Sequence, residues 1–199
     1  IHRIDRILRS ICDWLKEHKL EPFIVPAMGS HGGATPRGQR QVLHSYGIPE
    51  ESMRVPIRAS MDTVVLGETD LGTPVHMDRL TCEADHLAVV NRIKAHTKFK
   101  APIESGLMKM LAIGLGKHIG ASLIHKLAVE HTLYALIRDT ARFILSNGRV
   151  LFGLGLVENA FGRTSEIKAM LPEELERTEE RLLEKAKGIS AKIPFPELD

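Results

Sequence analysis

Four short stretches hold the side chains able to do chemistry. They are G-S-H-G-G-A-T around His31, N-R-I-K-A-H-T-K-F-K around His96, E-S-G-L-M-K-M around Lys109, and G-A-S-L-I-H-K-L-A around His125. An imidazole on an uncrowded loop can take or give a proton near neutral pH, which suits His31 and His96. The small residues flanking His31 equally fit a plain glycine-rich turn with a surface histidine. Arg92, Lys94, Lys98 and Lys100 surround His96, and such a run also reads as a solvated charged face. Lys109 stands between Met108 and Met110. In apolar surroundings an amine loses part of its preference for the charged form and becomes a better nucleophile, while a snorkelling surface lysine is the plainer alternative. His125 can ligate a metal as a neutral imidazole, or pack in an apolar helix. No H-x-x-x-H, C-x-x-C or H-E-x-x-H motif supports an all-protein zinc site, so a metal here would need ligands from outside the protein. Glu104 and Asp85 are loop acids able to orient an imidazole, and Ser30, Thr97 and Ser105 can donate to a carboxylate.

The elements that must position these groups follow from periodicity. Ile4, Ile7, Leu8, Ile11, Trp14 and Leu15 recur at helical spacing, predicting an amphipathic helix over the first 18 or so residues. P-F-I-V-P-A at 22–27 reads as a buried strand, and Thr35 followed by Pro36 reads as the cap and first turn of a helix ending near Tyr46. Strands are expected at 62–67, 74–78, 86–91 and 150–159, with helices at 129–146 and from Pro172 onward. The glycines at 153 and 155 admit a close neighbour, and in the last, highly charged helix Glu and Arg/Lys at i,i+3 and i,i+4 solvate one face. This alternation predicts an α/β fold: a mostly parallel sheet flanked by helices in three layers, Rossmann-like. In such sheets the chemistry lies beyond the carboxyl ends of the strands, where His31 and His96 fall.

The bulk composition narrows the function classes. The chain has 199 residues, enough for one domain with a real core. A net charge of +2, from 27 basic and 25 acidic residues, gives no basic field for nucleic acid or an anionic membrane. Aromatic residues at 5% leave few stacking platforms for single strands. No apolar run reaches the roughly 20 residues of a spanning helix, and Cys12 and Cys82 lack metal spacing, so a cytoplasmic protein with free thiols is the expectation. The loop at 29–35 and the glycines at 114, 116 and 120 match neither a P-loop nor a dinucleotide fingerprint. The start at Ile1 and the proline-containing K-I-P-F-P-E-L-D end lead us to expect a single domain, 1–199, from a longer two-domain protein.

P-A-M-G-S-H-G-G-A-T, the long stretch from Asn91 to Lys117 and the downstream His125 together resemble the N-terminal domain of the nickel-dependent lactate racemase family. The resemblance is closest to its broad branch of homologues distinct from the lactate racemases proper. It implies a racemase or epimerase, an isomerase acting on a 2-hydroxy acid, with a nickel pincer nucleotide as cofactor. By motif, Lys109 would be the covalent anchor of that cofactor, His125 the protein's nickel ligand, and His31 and His96 the two acid/base residues. One histidine would remove the hydroxyl proton while the cofactor accepts hydride from the alpha carbon, and hydride would return on the other face. Cofactor-synthesis enzymes are implied as partners, and protein made without them would lack the cofactor. The chain departs from the lactate racemases proper at Gly32, where they carry arginine, in S-G-L-M-K-M, and in a longer segment after His96. The family's upstream Asp/Arg substrate motif and its C-terminal domain lysine are not in this sequence. A module of the same fold that holds a nucleotide or carboxylate without turnover is the competing reading. A serine hydrolase fits less well, because no nucleophile elbow is present.

Overall fold

The computed structural model describes residues 1–191, so the K-I-P-F-P-E-L-D segment at 192–199 lies outside it. In chain order the elements are α1 (Ile4–Glu17), α2 (Pro36–Ser45), α3 (Glu50–Met53), β1 (Thr63–Glu68), β2 (Pro74–Asp78), α4 (Arg79–Cys82), β3 (Leu87–Arg92), α5 (Leu107–Lys109), α6 (Lys117–Leu127), α7 (Leu133–Ser146), β4 (Val150–Glu158), β5 (Thr164–Met170) and α8 (Pro172–Ile189). A short 3-10 turn covers Gly32–Ala34, and a π turn, Met110–Gly114, continues α5.

The fold is α/β, but the expectation of a mostly parallel, three-layer, Rossmann-like sheet is corrected. Among the described residues β1 and β2 form an antiparallel pair, and a separate three-stranded sheet runs in the order β3-β4-β5. Only β3 and β4 are parallel; β5 returns antiparallel along β4. The segment at 22–27 is not a strand. It makes a single parallel bridge, Ile24 to Ile57, in which Ile24 donates to Pro56 and accepts from Arg58, both at 2.9 Å. Pro22 and Pro26 flank it without N–H donors, so a ladder cannot extend in either direction. β5 had no expected counterpart because T-S-E-I-K-A-M lacks a clean alternation, yet its hairpin turn was written in the sequence. Asn159 Oδ1 accepts from the N–H groups of Phe161 and Arg163, and Gly162 takes φ 68°.

The helices follow their patterns more closely. α1 buries Ile4 and Cys12 in a small cluster with Ile48, Met53, Val55, Ile57 and Leu156, while Trp14 turns outward and stacks on His18 at 4.1 Å. α7 begins at Leu133, four residues later than expected. The Thr132 side chain caps the Ala135 N–H at 3.1 Å, which leaves Val129 exposed before the helix. One face of α8 is charged and solvated, and on the other Leu175, Leu182, Leu183 and Ala186 lie buried against the main core beside Glu179. In β4, a Cβ on Gly153 would stand 2.8 Å from the Leu107 side chain, and one on Gly155 would stand 2.6 Å from Ile93. Gly153 thus lets the helix that bears Lys109 settle directly on the sheet, and Gly155 makes room for Ile93 and for Leu182 of α8.

No single helix among the described residues is long and apolar enough to cross a membrane. Leu107–Gly114 and Lys117–Leu127 form an elbow bent by 105°, and Leu107, Met108, Leu111, Ala112, Ala121 and Ile124 of it belong to the core. Cys12 and Cys82 are free thiols. Burial raises the pKa of both above the usual thiol value, which makes each a weak nucleophile.

Candidate active site

The site is built around the elbow between residues 107 and 127. Its first arm starts with α5, where Lys109 ends the first turn and the π turn follows at once. A π turn widens the helix by one residue and recurs at functional positions. The Lys109 stem is half-buried, and its Nζ stands 5.9 Å from the centre of the Phe99 ring. Burial first, then the charge of Lys94, lower its pKa below that of an ordinary lysine.

His96 meets the other side of this arrangement. Its ring lies 4.5 Å from Phe99, tilted by 39°, so the imidazole and the Lys109 amine share one aromatic side chain. Burial lowers the His96 pKa, with the positive charge of Lys109 adding to it against the opposing pull of Glu104. The ring is therefore neutral at pH 7. The Lys98 N–H donates to its Nδ1 at 3.1 Å, so in the neutral ring the proton sits at Nε2.

The loop carrying His96 is tied down by Glu104. This buried carboxylate accepts the His96 N–H at 2.6 Å and the Ala101 N–H at 3.4 Å, and it pairs with Lys187 of α8 at 3.1 Å. Burial pushes its pKa up, but the bonds from His96, Lys187 and Ala101 more than offset that and hold it below the usual carboxylate value. Backbone bonds in both directions between Lys94 and Ser105 close the base of the same loop, and Asn91 Nδ2 donates to the Gly106 carbonyl at 3.1 Å. Glu104, read from the sequence as a loop acid able to orient an imidazole, bonds the backbone of His96 and not its ring.

His31 sits on a separate loop that docks on the elbow. The Gly29 N–H donates to Gly114 at 3.1 Å, and a Cβ at Gly29, where φ is +59°, would meet the Ile113 carbonyl at 3.3 Å. Only glycine fits that approach without strain. From α2 the buried Gln39 amide donates to the Gly29 carbonyl at 2.9 Å and the His31 carbonyl at 3.3 Å, and Thr35 caps α2 as expected. The His31 side chain is exposed. His125 lies in the last turn of α6, one turn beyond the Ala121 that Gly29 touches, and it is exposed rather than packed in a core. His96 and Lys109 are therefore brought together on Phe99, while His31 lies on the loop docked at Gly114 and His125 on α6. No hydrogen bond among the described residues joins either of these histidines to that pair.

Two contributors escaped sequence reasoning. Lys117 is fully buried at the bend, in left-handed backbone with φ 53°. Its Nζ donates to the Pro26 carbonyl at 2.6 Å and lies 2.9 Å from Asp78 Oδ2. One ammonium thus joins the start of α6, the end of β2 and the entry to the His31 loop. Asp78 also caps α4 through Oδ1, at 2.8 Å from the Thr81 N–H. Glu179 of α8 is the second: its Oε2 accepts the N–H groups of Leu107 at 2.6 Å and Met108 at 3.0 Å. A buried lysine is improbable by composition, but the P-V-H-M-D strand end was a legible source for its partner.

No group of three His, Cys, Asp or Glu side chains able to hold a metal occurs among the described residues. Two shallow grooves on the outer side of α2, one of 280 Å³ lined by Arg37, Arg40, Gln41 and His44 and one of 160 Å³, include none of the four candidates.

The family model for the lactate racemase N-terminal domain matches residues 2–132. The structure of the lactate racemase apoprotein from Thermoanaerobacterium thermosaccharolyticum superposes with a TM-score of 0.67 at 16% identity, covering 87% of this chain and 44% of that one. The chain thus spans less than half the length of that enzyme. No curated protein matches it in sequence. With two thirds of its residues under that family model, the chain belongs to the lactate racemase N-terminal domain family.

Proposed function

We propose that this domain is the cofactor-bearing part of a racemase or epimerase acting on a 2-hydroxy acid. The observation that carries the reading is the pairing of His96 with Lys109 on Phe99: a neutral imidazole beside an amine whose charged form is disfavoured. A nickel pincer nucleotide fits these residues. Lys109 is the one candidate amine with the reactivity needed for a covalent link, and His125 is an exposed imidazole with no hydrogen bond among the described residues, able to act as a single ligand to a metal that brings its other donors. Such a group, when bound, supplies a hydride acceptor and donor.

The chain's own residues handle the rest. In the reaction class proposed, the hydroxyl proton must leave and return as the alpha carbon passes through a planar state. Two acid/base groups on separate loops suit approach from two faces, and His31 and His96 are the pair. His96, held through its backbone by Glu104, donates its Nε2–H to a substrate oxygen; to take the hydroxyl proton at Nε2 its ring must pass to the Nδ1–H tautomer and release the Lys98 N–H. Lys94, exposed beside it, adds positive charge suited to a carboxylate.

The test is stereoinversion of a panel of 2-hydroxy acids by the full-length protein, followed by chiral chromatography in deuterated water. Inversion with little deuterium at the alpha carbon is expected, with His31→Ala and His96→Ala each slowing it by about 100-fold or more. Both variants inverting at the wild-type rate would remove the histidines from their roles. No inversion with any acid would favour a module that holds its ligand without turnover.

A further inference from the structure

Glu179 is buried with no cation beside it. Its Oε2 receives the Leu107 and Met108 N–H groups, the first two of α5, while its Oε1 has no partner among the described residues. That second oxygen fills the space a side chain at 106 would need: a Cβ on Gly106 would come within 2.2 Å of it. The charged neighbours do not neutralise the carboxyl. Glu176 and Glu180, on its own helix, are acidic, and Arg138 and Arg142 of α7 pair with Glu176 instead. Lys185 and Lys187 turn to Glu166 of β5 and to Glu104 and Glu184. A carboxyl so placed costs stability as a charge, and burial pushes its pKa up to about 7. What it secures is the first turn of one helix, two residues from Lys109.

We propose that Glu179 is the positioning residue for Lys109. By accepting the N–H groups of Leu107 and Met108 it fixes the turn from which the lysine stem leaves, and so keeps the amine half-buried over Phe99. α8 lies beyond residue 132, where the family match ends, so the support for the amine comes from outside the matched segment. The proposal rests on reading Lys109 as the reactive amine of the site, but its test needs neither cofactor nor substrate.

The experiment is trace acetylation of the whole chain with acetic anhydride from pH 6 to 11, with the Lys109 peptide quantified by mass spectrometry against the exposed Lys126. In the wild type the Lys109 midpoint lies below that of Lys126; an ordinary midpoint there would count against the reading of Lys109 itself. Glu179→Gln keeps an accepting oxygen and leaves the midpoint in place. Glu179→Leu removes it, and the midpoint rises toward that of Lys126, each unit of rise slowing labelling near neutral pH about tenfold relative to the reference. A folded Glu179→Leu protein with a lower melting temperature and an unmoved Lys109 midpoint would reduce Glu179 to a fold-supporting group and overturn the proposal. Should Glu179→Leu not fold, Gly106→Ala decides: its new Cβ displaces Oε1, and the same rise is expected, with an unmoved midpoint overturning the proposal.

Discussion

Phe99 is the residue on which the chemistry converges, since the His96 ring and the Lys109 ammonium both lie against it. Each group is tuned first by burial and then by a neighbouring positive charge, Lys109 for His96 and Lys94 for Lys109. Removing the lysine charge should therefore raise the His96 pKa. Lys109→Ala is expected to move the His96 midpoint in an NMR titration upward toward 6.5, and a midpoint that stays or falls would mean the two groups do not sense each other. Both residues were legible in the sequence as candidates, because an imidazole after a strand and a lysine among methionines are visible there. Their pairing was not. It depends on the loop at 93–106 folding back, which Glu104 and the Lys94–Ser105 bridge arrange through contacts that periodicity does not encode.

At the scale of elements, two buried ionisable groups hold the site together, and neither stood out in the sequence. Lys117 keeps a left-handed backbone in a buried position, a strain that persists only where the surroundings over-determine it. Removing its carboxylate strands an ammonium in the core. Asp78→Ala should cost about 3–5 kcal/mol in chemical denaturation and loosen the His31 loop, whose entry Lys117 holds at Pro26. A loss below about 1 kcal/mol would show that the pair does not carry this junction. Glu179 behaves differently with pH. Its folded-state pKa, about 7, is raised above the ordinary carboxylate value, so its favourable contribution is present below about pH 4.5 and is lost as pH rises through 7. Glu179→Gln, neutral throughout, should be more stable than wild type above pH 7, by at most about 3 kcal/mol, with little difference near pH 4.5. Parallel melting profiles for the two proteins would show that the carboxyl does not titrate there. The sequence predicted α8 as a helix with one charged, solvated face, as the structure has it, but did not single out Glu179 among the buried Leu175, Leu182 and Leu183. It read 22–27 as a strand because an apolar run between prolines has the right composition, though not the donors for a ladder.

For the whole molecule, the domain is an α/β unit whose small mixed sheet carries β3 and the Lys109 helix side by side. The four candidates lie on loops and helix ends rather than in an enclosed cavity, and the matching lactate racemase is more than twice as long as the region it shares with this chain. The most direct measurement is intact mass and nickel content of the full-length protein made together with the cofactor-synthesis enzymes. A covalent adduct is expected that maps to Lys109, is absent in Lys109→Ala, and in His125→Ala loses its nickel while the organic part stays on the lysine. An adduct that survives Lys109→Ala, or nickel retained without His125, would contradict that expectation.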